Sequence, residues 1–332
     1  MRVLVLSAFA NTTVMTIITN KKNRPLAQRI AHVSSSIGNT PLYEFKGVFA
    51  KAGVRVMAKL EWMQLGGSVK SRPAFNIIKQ AIERGDYGYG QILLDATSGN
   101  TGIAYSAVAA SLGLPVKICL PETASKERIS IMRALGADLV LTPGHLGVDG
   151  SQQQVKAFFE SDREKYFLAD QYANPDNWGA HYATTGPEIL AQTNGEVTHF
   201  VSALGTSGTQ MGVGRFLKEN VKGVEIVALQ PDSGEHTFEG WKHMATTGRI
   251  PPIFDKNIPD RMVAVSNAEA DAMVKRVAHE EGLLLSPSAA GNLSGAIKVA
   301  EQIESGVVVT TFADDFSKYS ADYLRIFNDR EK

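Results

Sequence analysis

The chain has 332 residues, 44% apolar and 20% charged, with 34 basic side chains against 34 acidic ones. That length and balance describe a globular protein able to bury two cores, and they exclude a disordered or fibrous chain. With no net charge there is no overall field toward nucleic acid or an anionic membrane, so small molecules are the expected ligands.

In chain order, residues 1–25 read as an N-terminal arm. Arg2 and the short apolar run Val3–Ala10 fall below what a secretory signal needs, and Met15 offers a second start. No run of eighteen apolar residues is present to span a membrane, and a cytoplasmic location is expected. From Val54 onward, apolar strand-like runs alternate with amphipathic helical ones, which predicts an α/β fold with a largely parallel sheet. The predicted strands are Val54–Leu60, Ile92–Ala96, Val116–Leu120, Asp138–Leu141, Val197–Ala203, Glu225–Gln230 and Gly306–Ala313. The predicted helices are Arg72–Arg84, Ile103–Leu112, Ser125–Leu135 with Ser125 as N-cap, Gln152–Phe159, Met211–Glu219, Glu269–Glu281 and Ala289–Glu304. Pro231–Asp260 lacks periodicity, and a loop that long inside a domain is usually functional. The expected division is 26–160 and 161–332, with residues about 40–65 able to cross to the other domain. Cys119 lies in an apolar run and is a core residue, so no disulfide framework or metal site is expected.

The chemistry-bearing residues fall at strand-to-helix turns, where parallel sheets bind ligands. Gly66-Gly67-Ser68-Val69-Lys70 sets one lysine after a glycine pair. Removed from water, its amine could attack a carbonyl and hold it as a Schiff base; taken alone, the stretch is better described as a turn with a solvated first-turn lysine. Gly205-Thr206-Ser207-Gly208-Thr209 can close backbone amides on a phosphate, yet it lacks the lysine of a nucleotide P-loop and the dinucleotide fingerprint. Thr97 to Gly102 offers donors at a helix N-terminus, suited to a carboxylate. An amine, a phosphate cup and a carboxylate cup together describe an amino acid bound through pyridoxal 5'-phosphate.

With these motifs in hand, the chain resembles the fold-type II pyridoxal-phosphate enzymes, and among them the cysteine synthases (O-acetylserine sulfhydrylases) and cystathionine β-synthases. The resemblance runs from Ile37-Gly38-Asn39-Thr40-Pro41-Leu42 to about Ala313 and includes Thr185-Gly186-Pro187-Glu188-Ile189. It implies two doubly wound α/β domains of the tryptophan synthase β-subunit type, with the active site in the cleft between them. It also implies roles: Lys70 as covalent anchor and proton carrier, Asn100 on the cofactor's ring hydroxyl, Gly205, Thr206, Ser207, Gly208 and Thr209 on its phosphate, and Ser288 facing the pyridine nitrogen. Thr97, Ser98, Gly99, Thr101 and Gln171 would hold the substrate carboxylate, while substrate choice would rest on Glu239-Gly240-Trp241-Lys242-His243-Met244, with Gly240 and Lys242 as contacts.

The implied reaction makes L-cysteine from O-acetyl-L-serine and sulfide through an aminoacrylate. O-phosphoserine as donor, homocysteine as nucleophile, a serine or threonine dehydratase, threonine synthase and a non-catalytic relative stay open. The resemblance further implies a homodimer and docking of a serine acetyltransferase C-terminus. Gln64, Leu65, Ser71 and Asp315-Phe316-Ser317-Lys318-Tyr319 depart from the family's usual residues.

Overall fold

The computed structural model describes residues 25–97 and 99–328; residues 1–24 of the expected arm at 1–25, and Ser98, lie outside them. Among the described residues, ten strands form two sheets. The larger holds β1 (Leu42–Glu44), β2 (Val54–Leu60), β7 (Val197–Ala203), β8 (Glu225–Pro231), β9 (Arg261–Val265) and β10 (Gly306–Phe312), in the order β1-β2-β10-β7-β8-β9. Only β1 runs antiparallel. The smaller, wholly parallel sheet has the order β5-β4-β3-β6, from β3 (Ile92–Ala96), β4 (Val116–Pro121), β5 (Asp138–Thr142) and β6 (Tyr166–Leu168).

Burial follows sheet position. β2, β8 and β10 are buried over nearly their whole length, as strands covered on both faces must be, whereas β5 and β9 at the edges expose part of theirs. Each sheet has its own core: one gathers Val56, Val201, Leu229, Leu293 and Phe312, the other Ile77, Ile78, Leu93, Ile103 and Ile118. The helix Asn100–Leu112 is buried without interruption from Thr101 to Ala109, which explains why its sequence shows apolar content rather than a stripe. Gly85 and Gly113 close their helices at φ 81° and 73°, backbone that glycine adopts without strain. No helix among the described residues is long and apolar enough to cross a membrane.

Several boundaries differ from expectation. Asn100–Gly102 form the first turn of a helix rather than a loop, the helix expected at 152–159 runs Gly147–Ser161, and the last long helix is Pro287–Glu301, started by Pro287 behind the Ser286 cap. Sequence reading passed over the helices Leu26–Ser34, Asp176–Ala183, Thr185–Gln192 and Ser320–Phe327 and strands β1, β6 and β9. β6, beyond residue 160, pairs with β3, while β1 and β2 pair within the sheet built from later strands.

A buried ion cluster joins the two halves. Lys59 and Glu61, at the end of β2, are fully buried, as is Arg72 to within 2%. Arg72 Nε donates to Glu61 Oε2 at 2.6 Å, Nη1 to Glu188 Oε1 at 2.7 Å and Nη2 to Thr40 Oγ1 at 3.0 Å. Lys59 Nζ donates to Glu188 Oε2 and the Thr40 carbonyl, both at 2.6 Å. Two cations thus meet two carboxylates, so no charge in the cluster is left uncompensated. Thr40 and Glu188, each from a stretch that carried the family resemblance, serve here.

Candidate active site

Lys70 sits immediately before the helix Ser71–Arg84, at the end of a loop tied down from several sides. Val69 N–H donates to the Ala313 carbonyl at 2.7 Å, Lys318 Nζ to the Gly67 carbonyl at 2.7 Å, and Gln64 Nε2 to Glu61 Oε2 at 2.8 Å. Gly66 and Gly67 have φ of 85° and 61°, and a Cβ on Gly66 would lie 2.8 Å from Ser71 Oγ, so the glycine pair is required by the turn. Burial pushes the Lys70 amine below its ordinary value, against the pull of Asp314, and so favours the free base.

The Gly205–Thr209 loop follows β7 and feeds the helix Gly208–Asn220. Ser207 takes the left-handed conformation at φ 74°, and its buried Oγ has no partner among the described residues. Both glycines permit a close backbone approach: a Cβ on Gly205 would lie 2.0 Å from the Gly240 carbonyl oxygen, and one on Gly208 would lie 1.9 Å from Asn177 Oδ1. Asn177 Nδ2 donates to Thr206 Oγ1 at 3.1 Å, and Thr209 Oγ1 meets His181 Nε2 at 3.3 Å. Burial, with Arg72 and Lys70 nearby, holds His181 well below the usual imidazole range and therefore neutral.

The turn after β3 is built on buried hydrogen bonds. Thr97 Oγ1 accepts from Gly99 N–H at 3.1 Å, and Thr101 Oγ1 donates to Gln171 Oε1 at 2.7 Å. Gln171 is oriented by donating Nε2 to the Ala96 carbonyl at 3.1 Å and its backbone N–H to Asp95 Oδ2 at 3.2 Å. Burial pushes the Asp95 carboxyl up to about 7, while the Ala96 N–H bond opposes the rise. Asn100 Nδ2 donates to Asp314 Oδ2 at 2.8 Å, leaving its buried Oδ1 unpartnered. Asp314 also accepts from the Tyr319 hydroxyl at 2.8 Å. The unusual segment Asp315–Tyr319 therefore supports the Lys70 loop and Asn100 through Lys318 and Tyr319.

These elements converge on one cleft of about 230 Å³, lined by Lys70, Thr97, Asn100, Thr101, Gln171, Gly205–Thr209, Gly240, Lys242 and Ser288. Gly99 stands behind the lining, packed on Arg128. The Ser288 hydroxyl lies 3.1 Å from Ser286 Oγ. Sequence reading gives no site role to Arg128, Asp149, Asn292 or Thr311, which also line the cleft and sit in no recognisable motif, whereas Glu239, a further lining residue, opens the stretch expected to set substrate choice. The polar groups fit a phosphorylated aldehyde: the unpartnered Ser207 Oγ, the acceptor Asn100 Oδ1, the glycine turn and a desolvated lysine amine face the same cleft.

A parallel α/β scaffold with a lysine and an anion cradle beyond its strand ends defines an enzyme class that works through an aldehyde cofactor. Residues 33–314 match the family described as "Pyridoxal-phosphate dependent enzyme", and the chain belongs to it. Within that family it is a cysteine synthase-like transferase: it is 39% identical over 302 residues to a cysteine synthase of Aquifex aeolicus, covering 89% of this chain and 91% of that one. The structure of an Entamoeba histolytica cysteine synthase superposes with a TM-score of 0.84 at 35% identity, over 90% of this chain and 91% of the other. An O-acetylserine dependent cystathionine beta-synthase from Helicobacter pylori gives 0.81 at 31%, over 87% and 96%.

Proposed function

We propose that this chain makes L-cysteine and acetate from O-acetyl-L-serine and sulfide. The observation that carries the reading is the meeting, in one cleft, of the desolvated Lys70 amine with the glycine-rich Gly205–Thr209 turn and with Thr97, Thr101 and Gln171. Pyridoxal phosphate, when bound, would supply the electron sink for the substrate's α-carbon. The chain's own residues do the rest. The Gly205–Thr209 amides and hydroxyls grip the phosphate, aided by the N-terminus of the helix Gly208–Asn220. Asn100 Oδ1 and the Ser288 hydroxyl address the ring. Thr97, Thr101 and Gln171 orient the substrate carboxylate, with Ser98 and Gly99 as further members of that turn. Lys70 takes the α-proton in its free-base form, the bond from the β-carbon to acetate breaks, and sulfide then adds to that carbon as Lys70 returns a proton to the α-carbon.

The cradle can be probed directly. Gly208→Ala drives a methyl into Asn177 and is expected to cost roughly 1–3 kcal/mol of stability and to loosen cofactor retention. Dialysis followed by visible absorbance would show this, and full retention would remove the phosphate role from the loop.

O-phosphoserine is the second donor to consider, on one observation. Lys242 lines the cleft, makes no ion pair among the described residues, and donates only to Thr247 Oγ1 at 3.2 Å, with burial lowering its ammonium's ordinary value. A phosphate leaving group would complete it. Turnover with sulfide decides between donors: Lys242→Ala should lower kcat/KM for O-phosphoserine about tenfold more than for O-acetylserine. Equal losses would refute the phosphate-reading role. Formation of cystathionine from homocysteine, or of ammonia and a 2-oxo acid without a nucleophile, would replace the primary reading.

A further inference from the structure

Arg128 is the least explained charge in the cleft. It is 2% exposed, yet its Nε and Nη2 have no hydrogen-bond partner among the described residues. The helix Lys126–Ala134 presents it from its first turn, under the carboxylate turn: a Cβ on Gly99 would lie 2.5 Å from Arg128 Cδ. Its guanidinium carbon lies over the Tyr319 ring, 4.7 Å from the ring centroid, a cation–π contact that engages one face of the group and leaves its N–H edge for other partners. That edge meets a single carboxylate, Glu239, through Nη1. Glu239 reaches in from the irregular Pro231–Asp260 segment with its side chain 44% exposed, so the pair is made from the solvent side of the cleft.

Leaving two guanidinium donors unpaired in a buried site costs free energy that an oxyanion would recover, because a planar guanidinium binds such a group through two parallel bonds. Glu239 is an imperfect occupant. Burial pushes its carboxyl above the ordinary range, against the opposing effect of Arg128.

We propose that Arg128 is a second oxyanion subsite of this cleft, held at rest by the Glu239 carboxylate and taken during the reaction by an anionic group of a reactant. This rests on the β-replacement reading. The anionic group has two sources, the leaving group of the donor or the tail of the nucleophile, and both would exchange with Glu239 at the same guanidinium edge. Glu239 then swings toward solvent, which its exposure permits. The site thus favours reactants carrying an oxyanion in addition to the amino acid's own carboxylate.

The test uses the holoenzyme and matched pairs of reactants. Mercaptoacetate and 2-mercaptoethanol, each with O-acetylserine, differ only in the anionic tail; O-phosphoserine and O-acetylserine, each with sulfide, differ in the leaving group. In every case the thiol proton leaves with the displaced acetate or phosphate. Arg128→Gln is expected to raise the KM of the anionic member relative to its neutral match about tenfold in one pair, and Glu239→Gln to lower that same ratio. The pair that responds identifies the source. Ratios within twofold of wild type in both pairs overturn the proposal. Where Arg128→Gln does not fold, the Glu239→Gln ratio alone decides. A wild type that makes no thioether or cysteine from any pair refutes β-replacement instead; calorimetry with inorganic phosphate then judges Arg128, with weaker binding in Arg128→Gln and tighter binding in Glu239→Gln as the supporting result and unchanged binding as the overturning one.

Discussion

The Lys70→Ala protein is expected to lose covalently held cofactor and roughly a thousandfold in kcat, since both the anchor and the base at the α-carbon go with the amine. Borohydride reduction followed by peptide mass analysis checks the first point: wild type should carry the cofactor's mass on the Lys70 peptide and the variant on none. Mass retained on another lysine would overturn the assignment. The cradle should still hold some cofactor noncovalently, because Ser207, Thr206 and the Gly205 and Gly208 backbone owe nothing to Lys70. Adding a small primary amine should restore part of the proton transfer, which would separate the chemical role from damage to the fold.

The largest loss of stability is expected from Arg72→Met. The substitution fills the same space but strands the charge of Glu61, which is fully buried, and leaves Glu188 with Lys59 as its one ion-pair partner among the described residues. Removing one partner of a buried pair costs about 3–5 kcal/mol. A urea midpoint measured by fluorescence reads this directly, and a loss below about 1 kcal/mol would show the cluster to be dispensable. The cluster also sets an acid limit. Burial alone would raise the Glu188 carboxyl, but Arg72 and then Lys59 outweigh it and hold the group at about 2. A carboxyl depressed on folding contributes stability that is present above its unfolded value and is lost as pH falls through the folded one. That contribution should therefore fade between about pH 4.5 and 2, and the Arg72→Met protein should show much less of this dependence.

The loops of the candidate site were legible because each combines a strand end, glycine or hydroxyl residues and a helix start in a few consecutive positions. Lys70, Thr97–Asn100 and Gly205–Thr209 all follow that grammar. Arg128 does not: an arginine in a helix's first turn looks like a solvated charge until the fold buries it against Glu239, which the sequence places only within the substrate-choice stretch 239–244. The helices Asp176–Ala183 and Thr185–Gln192 escaped notice because Pro175, Gly179 and Gly186 interrupt a period that tertiary packing nevertheless enforces. Strand β6 spans three residues, too few for alternation to register. The partnership of β2 with β10 was beyond any local signal, since parallel strands declare their apolar content and not their neighbours.

That partnership also dictates when the protein can become itself during synthesis. β2 emerges early and has only the short β1 beside it until β10, the last strand among the described residues, is made. The ribosome-bound chain must therefore carry an apolar, half-paired strand through most of its translation, the kind of surface that invites misassociation. Because Val69 hangs on Ala313, just past β10, the Lys70 loop is locked only at the end of that wait. Catalytic competence should thus arrive late and all at once, and truncation before Gly306 should yield a chain that chaperones hold but cofactor cannot rescue.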